Sequence, residues 1–220
     1  MLLEEYIRSA RSACTLDAVV HQYVLRMDEE VAVSDGKTKR QVLRHIELCL
    51  SHRRWIDFAF RLVNKIDSSL PPGMAERIRM HDLSKFSKYE VVGYGYMFGR
   101  SSGDGELDGA EKAEWKDSLY HHYSTNDHHP EYYGTGNDMC SEAAFYESVI
   151  DRLGCRLERN LLEDGLEKVS ADKVFDIAPE YLQKYTAGDR DRVIETLQRW
   201  CSALKMSMKN VDIVSFVNMK

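Results

Sequence analysis

The stretch KTKRQVLRHIELCLSHRRWIDFAFRLVNKI, about residues 37–66, reads as one long helix. Its apolar positions Val42, Ile46, Cys49, Ile56, Ala59, Phe60 and Val63 recur near a 3.6-residue period, which lines them along one face. The turn Ser34-Asp35-Gly36 precedes it. Ser68-Ser69-Leu70-Pro71-Pro72-Gly73 ends it, because proline lacks the amide hydrogen a helix needs. His45 and His52 stand seven residues apart on this pattern, hence on nearly one face.

Residues 1–12 and 15–28 read as short helices, and so does Met74–Met80. Ser87 has the spacing to cap a following helix, with Glu90 three residues on as in a capping box. That helix carries Val91, Val92, Tyr94, Tyr96, Met97 and Phe98 to Gly99, although Gly93 and Gly95 weaken its propensity. A polar loop from Arg100 leads to a helix starting at Asp108 or Gly109 and running through Trp115, Leu119 and His122. Residues 124–137 are a loop. Asp138 can cap a helix at about 139–159, whose stripe is Met139, Ala143, Tyr146, Ile150, Leu153 and Leu157. Two more helices are expected at 171–186 and 189–206, the second capped by Asp189. The apolar segment 211–219 is a strand or a packed tail. No other alternating pattern, internal repeat or low-complexity segment occurs. The expected fold is all-α, one domain over residues 1–220.

Composition narrows the classes. An apolar fraction of 43% supports a core. A net charge of −6 provides no basic field for general nucleic-acid or membrane-surface binding. No run approaches 18 apolar residues, and MLLEEYIRSARSAC carries acids where a signal peptide carries bases. Five scattered cysteines without a C-x-x-C read as reduced, buried residues. A cytoplasmic protein is expected.

Histidine placement points to chemistry. Four of the eight histidines lie between His121 and His129. His81-Asp82 offers an imidazole and a carboxylate about 100° apart on a helix, a donor pair suited to divalent manganese, iron, cobalt, nickel or zinc. Lys85, four residues after His81, would share its face and suits a phosphate oxygen. In HHYSTNDHHPE, not all four imidazoles can ligate one ion. His122 and one of His128 and His129 are preferred as ligands or neighbouring donors. Glu147 and Asp151 share a face that borders the apolar stripe, where a carboxylate needs a metal or a cation such as Arg152 or Lys168. His45 and His52 are each either a ligand or a core-edge histidine.

The order of these residues resembles the H…HD…D pattern of the HD-domain superfamily of metal-dependent phosphohydrolases. His52, His81, Asp82 and Asp151 match it, and HDLSK resembles the H-D-x-x-K form of several subfamilies. A closer resemblance is to a small HD-like family of unknown function. It rests on SHRRWIDFAFRLV, HDLSKFSKYE and HHYSTNDHHPEYY, followed by the pair Glu147 and Asp151. Leu119 stands where that family usually has tryptophan, with Trp115 nearby. The resemblance implies an HD-like helical bundle over about residues 40–160, with helical extensions at 1–39 and 161–220. It implies one or two divalent metals. His52, His81, Asp82 and Asp151 would bind the first. His122 with His128 or His129 would hold a second metal or a phosphate. Lys85 would contact a phosphate oxygen, and Glu147 or Asp82 would handle the proton. The implied substrate is a nucleotide or another small phosphoester. Two other readings accompany it. HD proteins with extra histidines include di-iron oxygenases. A metal-stabilised helical module without catalysis is the other, with the terminal segments as a partner or homodimer surface.

Overall fold

The computed structural model describes residues 35–164 and 170–207. The helices expected at 1–12 and 15–28 and the segment 211–219 lie outside them, as do Cys14, His21 and Lys168. The described residues form seven α-helices and three short 3₁₀ turns, with no strand among them. The all-α expectation holds. No helix among the described residues is long and apolar enough to cross a membrane.

The helices are α1 (Gly36–Ile66), α2 (Met74–Met80), α3 (Val91–Phe98), α4 (Gly109–Thr125), α5 (Glu142–Asp164), α6 (Ala171–Phe175) and α7 (Ala187–Ser207). The chain divides into two compact units, and the division falls within α1, between Arg53 and Arg54. Unit 1 comprises the described residues up to Arg53 together with Arg79–Asn126. Unit 2 comprises Arg54–Ile78 and the described residues from Asp127 onward.

In unit 1, Asp35 caps α1 by accepting from the amide and hydroxyl of Thr38 at 2.8 and 2.7 Å. Asp108 caps α4 in a full capping box with Glu111. The glycines that weaken α3 serve its packing. A Cβ on Gly93 would stand 2.5 Å from the Glu114 carbonyl of α4, and one on Gly95 would stand 3.1 Å from the Val42 side chain of α1. Just past the helix, a Cβ on Gly99 would stand 1.9 Å from the Gln41 carbonyl of α1. The capping box expected at Ser87 does not form. Ser87 accepts through its backbone oxygen from the amides of Glu90 and Val91, and the Glu90 side chain turns inward.

Unit 2 is built on the stripe of α5. Ile150, Leu153 and Leu157 are fully buried against Ile56, Leu62 and Val63 of α1 and Val193, Trp200 and Leu204 of α7. Gly154 lets α5 approach α1, since a Cβ there would meet Ile56 at 2.4 Å. Asp67, just past α1, accepts from Trp200 Nε1 at 2.7 Å and from Arg199 at 2.8 Å. Three expectations are corrected here. Ser141, not Asp138, caps α5, by accepting from the Ala144 amide at 3.2 Å. The helix expected at 171–186 stops at Phe175, because Ala178 precedes Pro179 and adopts an extended conformation with ψ 139°. Thr186, not Asp189, caps α7, and buried Asp189 instead accepts from the Met139 amide at 2.7 Å. Cys49 is buried as expected, whereas Cys140 is exposed.

Candidate metal centre

The HD pair does not lie on a helix. Helix α2 ends at Met80, and Asp82 takes a left-handed conformation, φ 55° and ψ 22°, before the 3₁₀ turn Leu83–Phe86. Among the described residues it is the one non-glycine with positive φ. Aspartate tolerates this region better than most residues. The reversal turns the Asp82 carboxylate inward and ends the shared helical face expected for His81 and Lys85. Arg53 braces the turn. Its guanidinium, on a side chain buried in unit 1, donates to the backbone oxygens of His81 and, at 2.7 Å, of Arg79. A cation at the carbonyl end of α2 also suits the helix dipole.

Three imidazoles surround the Asp82 carboxylate. His52 Nε2 and His81 Nε2 stand 3.5 and 3.4 Å from its Oδ2, and His122 Nε2 stands 3.5 Å from its Oδ1. The ligand atoms of His52, His81 and Asp82 all lie within 4.8 Å of one another. Two donors bound to one ion at about 2.1 Å stand roughly 3.0–3.4 Å apart at octahedral to tetrahedral angles. Charge-assisted N–H···O bonds are shorter, about 2.7–2.9 Å. At 3.4–3.5 Å, His52 and His81 stand at the upper edge of that ligand spacing from Asp82 and beyond the hydrogen-bond range, so these three residues can hold a metal ion. Imidazole with carboxylate also matches the donor preference of divalent first-row metals.

The shell behind the centre sets the tautomer of His122. Its Nδ1 lies 2.9 Å from Glu90 Oε2, and His121 Nδ1 lies 2.7 Å from Glu90 Oε1. A proton on His122 Nδ1 is thereby held by Glu90, which leaves the Nε2 lone pair facing Asp82. Burial lowers the His122 pKa despite the opposing pull of Glu90, so the neutral, ligating form prevails. Asn126 adds a bond to the His122 carbonyl at 2.8 Å and one to Ser84 Oγ at 2.9 Å.

Lys85 Nζ lies 2.6 Å from Asp82 Oδ2 and over the ring of Tyr94. Burial opposes its charge, but the Asp82 carboxylate outweighs this and raises its pKa. His45 stands apart from the imidazole set. It packs against Cys49 Sγ at 3.3 Å and against Tyr94, and burial pushes its pKa down to about 3. It is a core histidine.

The remaining sequence candidates, His128, His129, Glu147 and Asp151, belong to unit 2. Glu147 is buried and ion-paired to Arg77, which also binds Asp127. His128 Nδ1 stands 3.4 Å from Glu147 Oε1, and the His128 and His129 rings are 4.2 Å apart. Asp151 is buried on α5, where Cys155 Sγ donates to it at 3.9 Å and Arg152 lies within its field. Sequence reasoning missed Arg53, Glu90 and Asn126 at the centre and Arg77 beside Glu147. For Glu90 the capping-box spacing concealed the role.

No curated protein sequence matches this chain, and no solved structure does. Residues 35–203 match the model of a family of unknown function, DUF5662, and the chain belongs to that family.

Proposed function

We propose that this chain is a divalent-metal-dependent phosphohydrolase acting on a nucleotide or another small phosphoester. One observation carries the reading: three imidazole nitrogens at 3.4–3.5 Å around the buried carboxylate of Asp82. In this reading His52, His81 and Asp82 hold the metal, and His122 stands at the other oxygen of Asp82. When bound, a metal in such a set supplies a Lewis acid for a phosphoryl oxygen and lowers the pKa of a water. The chain's own groups do the rest. Glu90 holds His122 in the ligating tautomer. Lys85 carries three hydrogens, of which Asp82 takes one, and its charge adds to a field that attracts a phosphate despite the net charge of −6. Asp151 as a further ligand, His128 or His129 at a second metal or phosphate, and Glu147 in proton transfer follow from the HD resemblance, and single variants test each.

The test is elemental analysis of the purified chain, followed by phosphate release from a nucleotide and phosphoester panel with manganese, cobalt, nickel or zinc. Turnover should fall at least about 100-fold in folded H81A and D82N. Unchanged turnover in both refutes the assignment. Bound iron with oxygen uptake replaces it by an oxygenase. Metal-dependent stability without turnover on any substrate replaces it by a non-catalytic metal module.

A further inference from the structure

Arg152, Arg156 and Arg159 recur at i, i+4 and i+7 on α5 and so share one face. Together with Cys155, Ile177 and Tyr181 they line a cavity of about 30 Å³ in unit 2. One water needs only roughly 10–15 Å³, so a larger polyatomic group fits. Arg152 faces Asp151 and the Tyr185 hydroxyl, yet its Nε is buried without a hydrogen-bond partner among the described residues. Arg156 donates to the Lys173 carbonyl at 3.4 Å, and its Nη2 stands 3.7 Å from the exposed carboxylate of Asp176. Arg159 is held by a neutral group: it donates to the Tyr181 hydroxyl and lies over the Tyr181 ring at 4.8 Å.

We propose that this arginine-lined cavity is an oxyanion site that takes free orthophosphate. Guanidinium forks match the spacing of phosphate oxygens, and their bonds to an anion are charge-assisted. The small volume favours the free anion over an ester. The site lies on groups other than the His–Asp centre and does not depend on the metal reading.

The test is isothermal titration of the full chain with sodium phosphate, against sodium chloride at equal ionic strength. Saturable phosphate binding should weaken about 10-fold in R159Q and in R156Q, both outward-reaching side chains whose loss leaves the core intact. H81A should leave it unchanged, which separates this site from the metal centre. Equal affinity in R159Q, R156Q and the parent chain overturns the proposal. So does the absence of saturable binding, or its loss in H81A. Glycerol phosphate binding as tightly as orthophosphate overturns the assignment to the free anion.

Discussion

Oε2 of Glu90 lies 2.9 Å from Nδ1 of His122. The other oxygen of this fully buried carboxylate serves His121, so one acid orients two consecutive imidazoles. An amide in its place has one acceptor oxygen and presents hydrogens to the other ring. E90Q should therefore weaken metal binding by about 10–100-fold, as read by titration calorimetry with manganese or zinc. A folded E90Q with parental affinity would show that the Nδ1 contact does not prepare the ligand.

Metal binding should stabilise the chain by mass action. At a free metal concentration of 100 times Kd the gain is about 2.7 kcal/mol, or roughly 5–10 °C in Tm for a chain of this size. D82N should abolish the increase. Asparagine tolerates the left-handed conformation at position 82, so the variant removes the charge and spares the turn. Thermal scans with and without metal decide this, and an equal increase in D82N would place the ion elsewhere.

Much of this centre was legible because its donors are rare residue types in a fixed order. His52, His81, Asp82 and His122, which the fold brings together, all stand among the candidates drawn from spacing or resemblance. Their geometry was not, since Asp82 turns on a positive φ that a helical reading of HD cannot anticipate. Arg53 and Glu90 stayed hidden because each acts through a contact about 30 residues distant in the chain, Arg53 with His81 and Glu90 with His122. The helix boundaries divide in the same way. The end of α1 and the start of α2 follow from prolines and glycine close by, whereas the caps of α5 and α7 depend on hydroxyls at Ser141 and Thr186 that compete with nearby aspartates. In α7 the aspartate was drawn off by a tertiary bond to Met139.

Stability should fall in acid through His45. Burial, with a smaller push from Lys85, holds its folded pKa at about 3, against about 6.5 unfolded. A depressed pKa means that the unfolded chain takes up the proton first. The contribution is therefore complete above about pH 6.5 and is lost progressively as pH falls toward 3. Between pH 7 and pH 5 the loss from this group is about 2 kcal/mol. Urea titrations at the two pH values should show this decrement in the parent chain and a smaller one in H45Q. Equal decrements would assign the acid sensitivity to other groups.

Arg53 should not tolerate lysine. Its fork reaches two carbonyls at the end of α2, those of Arg79 and His81, from a side chain that is 1% exposed. A lysine ammonium offers a point charge without the planar fork. R53K should cost about 1.5–3 kcal/mol, the value of one hydrogen bond to a charged donor. It should also loosen His81 and weaken metal binding. Denaturant midpoints and metal titration measure the two effects, and a variant that loses neither would show that the turn holds itself.

Helix α3 should be the least tolerant of an added methyl group. At Gly99 a Cβ would stand 1.9 Å from the Gln41 carbonyl, and at Gly93 it would stand 2.3 Å from Ser118 Oγ and 2.5 Å from the Glu114 carbonyl. Backbone carbonyls cannot rotate away as a side chain can, so α3 must move off its neighbours. G99A and G93A should each destabilise by about 1–3 kcal/mol or more, the usual cost of overpacking. At Gly93, within the helix, this outweighs the roughly 1 kcal/mol that alanine gains over glycine. G103A, in the loop before α4 where nothing lies within 4 Å, is the matched control and should change stability little. Chemical denaturation of the three variants compares them directly. If G93A or G99A proved more stable than the parent chain, helix propensity rather than close approach would govern this element.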